Sequence, residues 1–187
     1  MAGALADEGD RGLTPGDAGR VYLVGFMGSG KTTVGRRLAE RLAVPFVDLD
    51  AAYEAMAGET VRSTFETRGE AFFREREAEL LKGTVAFPAA VVALGGGTIT
   101  FQENLAFVKR HGVSVFLDVP FEVIAARLGA KAADRPLFRS LDEARALYEA
   151  RLASYRLSDR ILPLEGDERV EAVVEQIVGA LAAQRGT

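Results

Sequence analysis

Residues 25–32 of the chain have the sequence Gly25-Phe26-Met27-Gly28-Ser29-Gly30-Lys31-Thr32. The stretch matches the pattern Gly-x-x-x-x-Gly-Lys-Ser/Thr, in which glycines let backbone N–H groups turn inward around phosphate oxygens. It follows the short apolar run Val21–Val24 and precedes a helical pattern that we expect to continue to about Leu42. A strand, a glycine loop and a helix in this order predict a phosphate site at the positive end of the helix.

Individual residues of this loop are expected to have different roles in nucleotide binding. Lys31 is expected to contact the β- and γ-phosphates of a nucleotide, and the Thr32 hydroxyl is expected to ligate Mg²⁺. Further contacts with ATP are expected from Gly28, Ser29, Gly30 and Thr33. The chain contains no Asn/Thr-Lys-x-Asp sequence typical of guanine recognition, and 187 residues are too few for a motor protein. A kinase acting on a small metabolite is the class that remains.

Outside the loop, apolar runs alternate with helical patterns along the whole chain. Together they predict an α/β fold with three layers, a central parallel sheet of about five strands and helices on both faces. We expect strands at 21–24, 45–49, 90–94, 113–119 and 160–164. We expect helices at 31–42, 51–68 with a break at Gly58, 69–82, 104–110, from Pro120 to about 127, 141–155 and 170–183.

The same patterns predict one folded domain. It covers residues 20–183 and follows a flexible N-terminal tail at 1–19, while 184–187 form a short C-terminal tail. Residues of about 128–140 have weak periodicity and predict a mobile lid. No exposed apolar stripe is evident, so a monomer is expected.

Composition excludes several other classes of protein. The net charge of −4 and a pI near 5.2 disfavour a general affinity for nucleic acid. The absence of cysteine excludes disulfides and thiol nucleophiles, and a single His111 cannot form a histidine-rich metal site. No apolar run approaches the ~18 residues that a membrane span needs, and the acidic N-terminus does not resemble a targeting segment. A cytoplasmic protein is expected by default.

Polar residues follow the second predicted strand, in Phe46-Val47-Asp48-Leu49-Asp50. In an extended chain, Asp48 and Asp50 lie on the same face, so both would point toward the phosphate loop. A turn or a helix cap is the common alternative for such an acidic pair.

Two further motifs indicate a second binding site. Arg74 and Glu77 are three residues apart on a predicted helix, so Glu77 can orient the guanidinium toward a carboxylate. A solvated surface pair is the alternative. The triplet Gly95-Gly96-Gly97 ends the third strand, and consecutive glycines are best explained where a ligand approaches the main chain, with a plain loop as the alternative.

In order along the chain, these motifs resemble those of the shikimate kinase family. The resemblance rests on GFMGSGKTT, FVDLD, AGETV followed by GEAFFREREAELL, LGGGT, RPLF and RLASY, and it extends from about Val21 to Tyr155. It implies transfer of the γ-phosphate of ATP to the 3-hydroxyl of shikimate, with Mg²⁺. The family's proline before the tyrosine of RLASY is absent here, and so is the proline expected in loop 165–169.

The resemblance also implies roles for individual residues. Asp50 would bind the accepting hydroxyl, Arg74 and Arg151 would bind the substrate carboxylate, and Glu77 would support Arg74. The other implied substrate contacts are Gly95, Gly96 and Gly97 through the backbone and Phe65 and Phe73 as an apolar wall, although these two rings are equally well explained as core.

Near the nucleotide, the implied residues are Asp48, Arg135, Arg127 and Arg169. Asp48 would help hold Mg²⁺, and Arg135 in Arg135-Pro136-Leu137-Phe138 would reach the transferring phosphate from the lid. Arg127, with Lys131 as a competitor, would stack on adenine, and Arg169 would lie beside it. Two rivals stay open: a kinase for another small polyol, such as gluconate, and a non-catalytic ATP-binding module.

Overall fold

Five parallel strands form the centre of the part of the chain that the structure describes, residues 19–129 and 140–183. The structure is a computed structural model. Its strands are β1 (Arg20–Val24), β2 (Phe46–Asp48), β3 (Ala90–Ala93), β4 (Val113–Asp118) and β5 (Arg160–Pro163). Its helices are α1 (Lys31–Leu42), α2 (Leu49–Ala57), α3 (Val61–Arg68), α4 (Glu70–Gly83), α5 (Gln102–His111), α6 (Phe121–Gly129), α7 (Leu141–Tyr155) and α8 (Val170–Ala182).

The strand order in the sheet is β2-β3-β1-β4-β5, and every neighbouring pair is parallel. The central strands are apolar on both faces, since Val21–Val24 and Ala90–Ala93 are buried throughout. Burial on both faces is what helices packed on each side of a parallel sheet require. The predicted sheet of about five strands is confirmed.

Helices cover the two faces of the sheet as a right-handed crossover dictates. α1 connects β1 to β2 in one direction across the sheet and packs against α8. The other connections run in the opposite direction, so α4 and α5 pack together on the opposite face. The predicted three layers follow from this arrangement.

The second strand is shorter than predicted, and this changes the interpretation of the acidic pair. The strand ends at Asp48, and helix α2 begins at Leu49 rather than at Ala51. Asp48 is the N-cap of α2, since its side chain accepts hydrogen bonds from the backbone N–H groups of Asp50 and Ala51. The expectation that both carboxylates share a face of an extended chain is therefore wrong. The chain turns into a helix after Asp48 because the Asp48 side chain satisfies the N–H groups at the helix start.

The predicted break at Gly58 is confirmed. Gly58 has a φ of 71° and ends α2, and its N–H donates to the carbonyl of Glu54 at 2.9 Å. A left-handed residue at this position is typical of a helix C-terminus.

Some predicted features lie outside the described residues. They are the N-terminal tail up to residue 18, the lid between 130 and 139, and the tail at 184–187. Among the helices that the structure describes, none combines the length and the apolar character needed to cross a membrane.

Candidate active site

A cavity of about 1200 Å³ opens beyond the carboxyl ends of the strands. In open parallel sheets this edge is the usual ligand site, because successive loops and helix N-termini converge there. The phosphate loop and the glycine triplet both line it, so the structure brings the two predicted sites into one space. Predicted residues that line the cavity are Gly28, Ser29, Gly30, Lys31, Thr32, Thr33, Asp48, Asp50, Phe65, Phe73, Arg74, Glu77, Gly95, Gly96, Gly97, Arg127 and Arg151.

The phosphate loop has the backbone that its glycines predict. Gly28 and Gly30 have φ angles of 77° and 97°, which side chains rarely permit. Gly30 is the N-cap of α1, no side chain caps this helix, and its first turn holds no acidic residue. The positive end of α1, with neither a side-chain cap nor an acidic residue in its first turn, therefore suits an anion.

Lys31 lies across this loop. Its Nζ donates hydrogen bonds to the carbonyls of Gly25 and Phe26, at 2.8 and 2.9 Å. The hydroxyl of Ser29 is buried and has no hydrogen-bond partner among the described residues. A buried hydroxyl without a partner is destabilising until a ligand or water supplies one.

Thr32 and Asp48 bring two oxygen atoms together beside the loop. The Thr32 hydroxyl donates to Asp48 Oδ2 at 2.7 Å, while Asp48 Oδ1 caps α2. Mg²⁺ prefers oxygen ligands, and it is commonly held by one or two protein groups together with phosphate oxygens and water. In residues 19–129 and 140–183 there is no cluster of three or more acidic, histidine or cysteine side chains that could hold a metal ion by itself. The donor set thus fits a magnesium ion that arrives with a nucleotide.

Asp50 stands between the phosphate loop and the second site. It borders the cavity and is exposed, and its carboxyl group lies among the charged side chains of the two sites. Loss of hydration and the neighbouring carboxylates of Glu77 and Asp48 raise the pKa of Asp50 to about 6, against the opposing charges of Lys31 and Arg74. A carboxylate with such a pKa is still ionised at neutral pH and is a better proton acceptor than an ordinary aspartate.

Arg74 is held by a buried network on α4. Its Nη1 donates to Glu77 Oε2 at 2.8 Å, and the other oxygen of Glu77 accepts a hydrogen bond from the Thr98 hydroxyl at 2.6 Å. Glu77 is only 1% exposed. The predicted support of Arg74 by Glu77 is present in the geometry, and the surface-pair alternative does not fit a buried carboxylate.

The glycine triplet is explained by three close side chains. A Cβ at Gly95 would collide with the Glu77 carboxylate, and a Cβ at Gly97 would lie 2.5–2.8 Å from the Arg74 guanidinium. At Gly96 the nearest side chain is that of Arg151, at 3.3 Å from the same hypothetical atom. The absence of side chains in the triplet therefore leaves room for the very groups that the second site contains.

Tyr155 is a residue of this site that sequence reasoning missed. It is buried, and its hydroxyl donates a hydrogen bond to the Gly96 carbonyl at 2.5 Å. Burial raises the pKa of Tyr155 to about 12, with Arg151 acting in the opposite direction, so the hydroxyl stays a donor. Thr98 and Glu70 were missed too. The signal available for Tyr155 was its place one helical turn after Arg151.

Aromatic rings form the apolar wall of the second site. Phe73 is buried and packs edge-on against Phe65 and Tyr53, with ring centroids 5.0 and 4.9 Å away. The Arg74 guanidinium lies 5.2 Å from the centre of the Phe73 ring. Both predicted roles of Phe73, as a core residue and as a wall of the pocket, therefore apply, since the ring is buried and also borders the cavity.

The nucleotide side of the cavity is less closely defined by the predicted residues. Arg127 donates from Nη1 to the Gly28 carbonyl at 2.9 Å and from Nη2 to the Gly166 carbonyl at 2.7 Å, linking the phosphate loop to loop 165–169. Its stacking on adenine stays a prediction. Arg169 is exposed before α8 and is not among the residues that line the cavity. Arg135 and Lys131 lie outside the described residues.

Comparison with known proteins places these observations in a family. A family model described as shikimate kinase matches residues 27–182. The chain is 40% identical over 168 residues to the shikimate kinase of Ruegeria pomeroyi, covering 88% of this chain and 86% of the relative. It is also 40% identical over 163 residues to the shikimate kinase of Aquifex aeolicus, covering 87% and 95%.

A solved structure agrees with the sequence relatives. The shikimate kinase of Acinetobacter baumannii in complex with shikimate superposes with a TM-score of 0.82 at 33% identity, covering 89% of this chain and 94% of that one. The family match spans most of the chain, and the fold and cavity agree with it. The chain therefore belongs to the shikimate kinase family and is an ATP-dependent kinase.

Proposed function

We propose that this chain transfers the γ-phosphoryl group of ATP to the 3-hydroxyl of shikimate, giving 3-phosphoshikimate and ADP. The observation that carries the proposal is the arrangement of Asp50, Arg74 and Arg151 around the glycine triplet, on the same cavity as the phosphate loop. Two arginines suit the carboxylate of the acceptor, and one carboxylate suits its hydroxyl. The likeness to a relative solved with shikimate supports the same acceptor.

The phosphate loop binds the nucleotide in this proposal. Backbone N–H groups at the start of α1 and the Lys31 ammonium bind the phosphates, and the unpartnered Ser29 hydroxyl supplies a further donor. Thr32 and Asp48 would hold Mg²⁺, whose charge, when it is bound, offsets the charge that develops on the phosphate oxygens. Arg135 is proposed to reach the transferring phosphate.

The acceptor is positioned by the second site. Arg74, kept in place by Glu77, and Arg151 bind the carboxylate of shikimate, while Phe65 and Phe73 border the ring. Asp50 accepts a hydrogen bond from the 3-hydroxyl and takes its proton as the new oxygen–phosphorus bond forms. The bond between the γ-phosphorus and the bridging oxygen breaks at the same time, and ADP leaves with that oxygen. Phosphoryl transfer depends mainly on alignment and charge stabilisation, so fixed arginines and a fixed carboxylate are the groups it requires.

The experiment is a measurement of ADP release by the purified protein with ATP and Mg²⁺, comparing shikimate, gluconate and no acceptor. We expect turnover with shikimate only, and Lys31→Ala is expected to lower it by about 10³-fold or more, since a charge that stabilises the transition state is lost. Lys82→Ala, at the exposed end of α4, is the matched control and is expected to retain activity.

The other outcomes separate the rival functions. Turnover with gluconate in place of shikimate would retain the kinase and contradict the acceptor. Binding of ATP without turnover on either acceptor would favour a regulatory ATP-binding module.

A further inference from the structure

Arg74 has a second carboxylate partner, at the edge of the guanidinium that faces away from Glu77. Glu70 Oε1 accepts hydrogen bonds from both Nε and Nη2 of Arg74, at 3.0 and 2.8 Å. The Nε and Nη2 groups form one side of the arginine fork, which carboxylates bind in a bidentate manner. Glu70 therefore occupies a position that an incoming carboxylate would use.

The two partners of Arg74 differ in how easily they can leave. Glu77 is 1% exposed and also bonded to Thr98, so its departure would leave a buried charge unpaired. Glu70 is 61% exposed and is the first residue of α4. Its carboxylate can rotate into solvent while its charge stays near the helix N-terminus, where it remains favourable. Glu70 is thus the exchangeable partner.

Glu70 also lines the cavity that holds the proposed acceptor site. We infer that Glu70 is a built-in competitor of the acceptor carboxylate: it occupies the Nε and Nη2 edge of Arg74 in the free enzyme and moves into solvent when the acceptor binds. The inference rests on the proposed function, because it requires an acceptor that carries a carboxylate.

Two consequences follow from this competition. The affinity for every carboxylate that uses Arg74 is lowered by the free energy of the Glu70–Arg74 pair, whereas the rate after binding is not. Exposed ion pairs are weak, but Arg74 is only 12% exposed and the contact uses two donors. Removing Glu70 should therefore increase carboxylate affinity by about two- to fivefold.

The test compares wild-type protein with Glu70→Gln and Glu70→Ala, with ATP and Mg²⁺ at saturation. Three quantities are measured: the KM for shikimate, kcat, and the inhibition constant of cyclohex-1-enecarboxylate, a ring carboxylate without hydroxyls. Glu79→Gln is the matched control, since Glu79 pairs with the exposed Arg76 on the same helix at 2.6 Å.

We expect both Glu70 variants to lower the KM and the inhibition constant by a similar factor, with kcat within about twofold of wild type. Glu79→Gln should change neither constant. A purely structural role for Glu70 would instead raise the KM, because Arg74 would lose its orientation, and an unchanged or increased KM in both variants would overturn the inference.

A calorimetric titration separates this inference from the proposed function. The dissociation constant of cyclohex-1-enecarboxylate is measured for the wild-type and Glu70→Ala proteins without any turnover. Wild-type protein that fails to phosphorylate shikimate contradicts the proposed function alone. An active wild-type protein whose Glu70→Ala variant binds the carboxylate no more tightly contradicts the competition alone.

Discussion

The phosphate half and the acceptor half of the cavity are built in different ways. The phosphate half comes from eight consecutive residues, 25–32, and acts mainly through backbone N–H groups. The acceptor half takes Asp50 from α2, Arg74 from α4 and Arg151 from α7, with the glycine triplet between them. The first half is local in sequence and the second exists only in the folded chain.

This difference has an energetic side. The backbone of the phosphate loop relies on positive φ angles at Gly28 and Gly30 and on the start of a single helix, which are local features of the chain. The acceptor half relies on a buried chain of hydrogen bonds from Thr98 through Glu77 to Arg74. A partly satisfied buried network is costly, so disturbing one member of this chain is expected to affect the others.

The largest expected effect lies at Asp50, which touches both halves. Asp50→Asn removes the proton acceptor but retains shape, so kcat should fall by about 10²- to 10⁴-fold, the usual contribution of a general base. The KM for ATP should change little. Steady-state kinetics with shikimate measure both, and a kcat within tenfold of wild type would show that Asp50 only positions the hydroxyl.

The same substitution should increase stability. Because the folded pKa of Asp50 is raised to about 6, its carboxyl favours folding only in the protonated form. That contribution is complete below the unfolded pKa near 4 and is lost as the pH rises through about 6. Thermal unfolding without nucleotide or metal should therefore show a higher Tm for Asp50→Asn at pH 7.5, and a gain that shrinks toward pH 4.5.

A second prediction tests whether the two halves are separable. Arg74→Ala should raise the KM for shikimate by about 10²-fold, because truncation of one partner of a buried charge pair typically costs 2–5 kcal/mol. The Tm should fall as well, since Glu77 remains buried without its cation. The KM for ATP should stay near its wild-type value.

The control for this variant is Arg76→Ala, which removes an exposed arginine two residues away on the same helix. It should leave both KM values unchanged. An equal rise of the KM for ATP in Arg74→Ala would mean that the halves are not independent.

Among Asp50, Arg74 and the glycine triplet, the triplet has the smallest expected effect. Gly97 has a φ of −107°, so alanine is compatible with the backbone, and the three atoms nearest to its Cβ would all belong to the Arg74 guanidinium. Gly97→Ala should raise the KM for shikimate by about tenfold by displacing the guanidinium. Gly179→Ala in α8 is the control, because a Cβ added at Gly179 would have no atom of another part of the protein within 4 Å. This variant should preserve activity with a small gain in stability.

Much of the fold was predictable because its patterns are local. Val21–Val24 and Ala90–Ala93 are apolar on every residue, as strands buried on both faces must be, and Gly58 ends a helix where predicted. The residue at which β2 ends was not predictable in the same way. Asp48 suits both the end of a strand and the cap of a helix, and the choice depended on where the first turn of α2 could form.

The acceptor site was predicted only in part. Arg74 and Glu77 were identified because neighbours three apart on a helix lie side by side. Glu70 is four residues from Arg74 and lies as close to its guanidinium as Glu77 does. Helical spacing alone does not show which of the two carboxylates is buried. The buried Glu77 accepts a hydrogen bond from Thr98, a residue from another part of the chain, so no local pattern predicts its surroundings.

By itself the sequence determined the phosphate loop, the order of strands and helices and the family, because these depend on short-range backbone preferences and on ordered motifs. The tertiary structure alone decided which oxygen atoms meet Arg74, that a side chain at Gly95 or Gly97 would press on Glu77 or Arg74, and that Tyr155 bonds to the Gly96 carbonyl. These contacts join segments that parallel crossovers bring to one edge of the sheet, and distance along the chain carries no information about them.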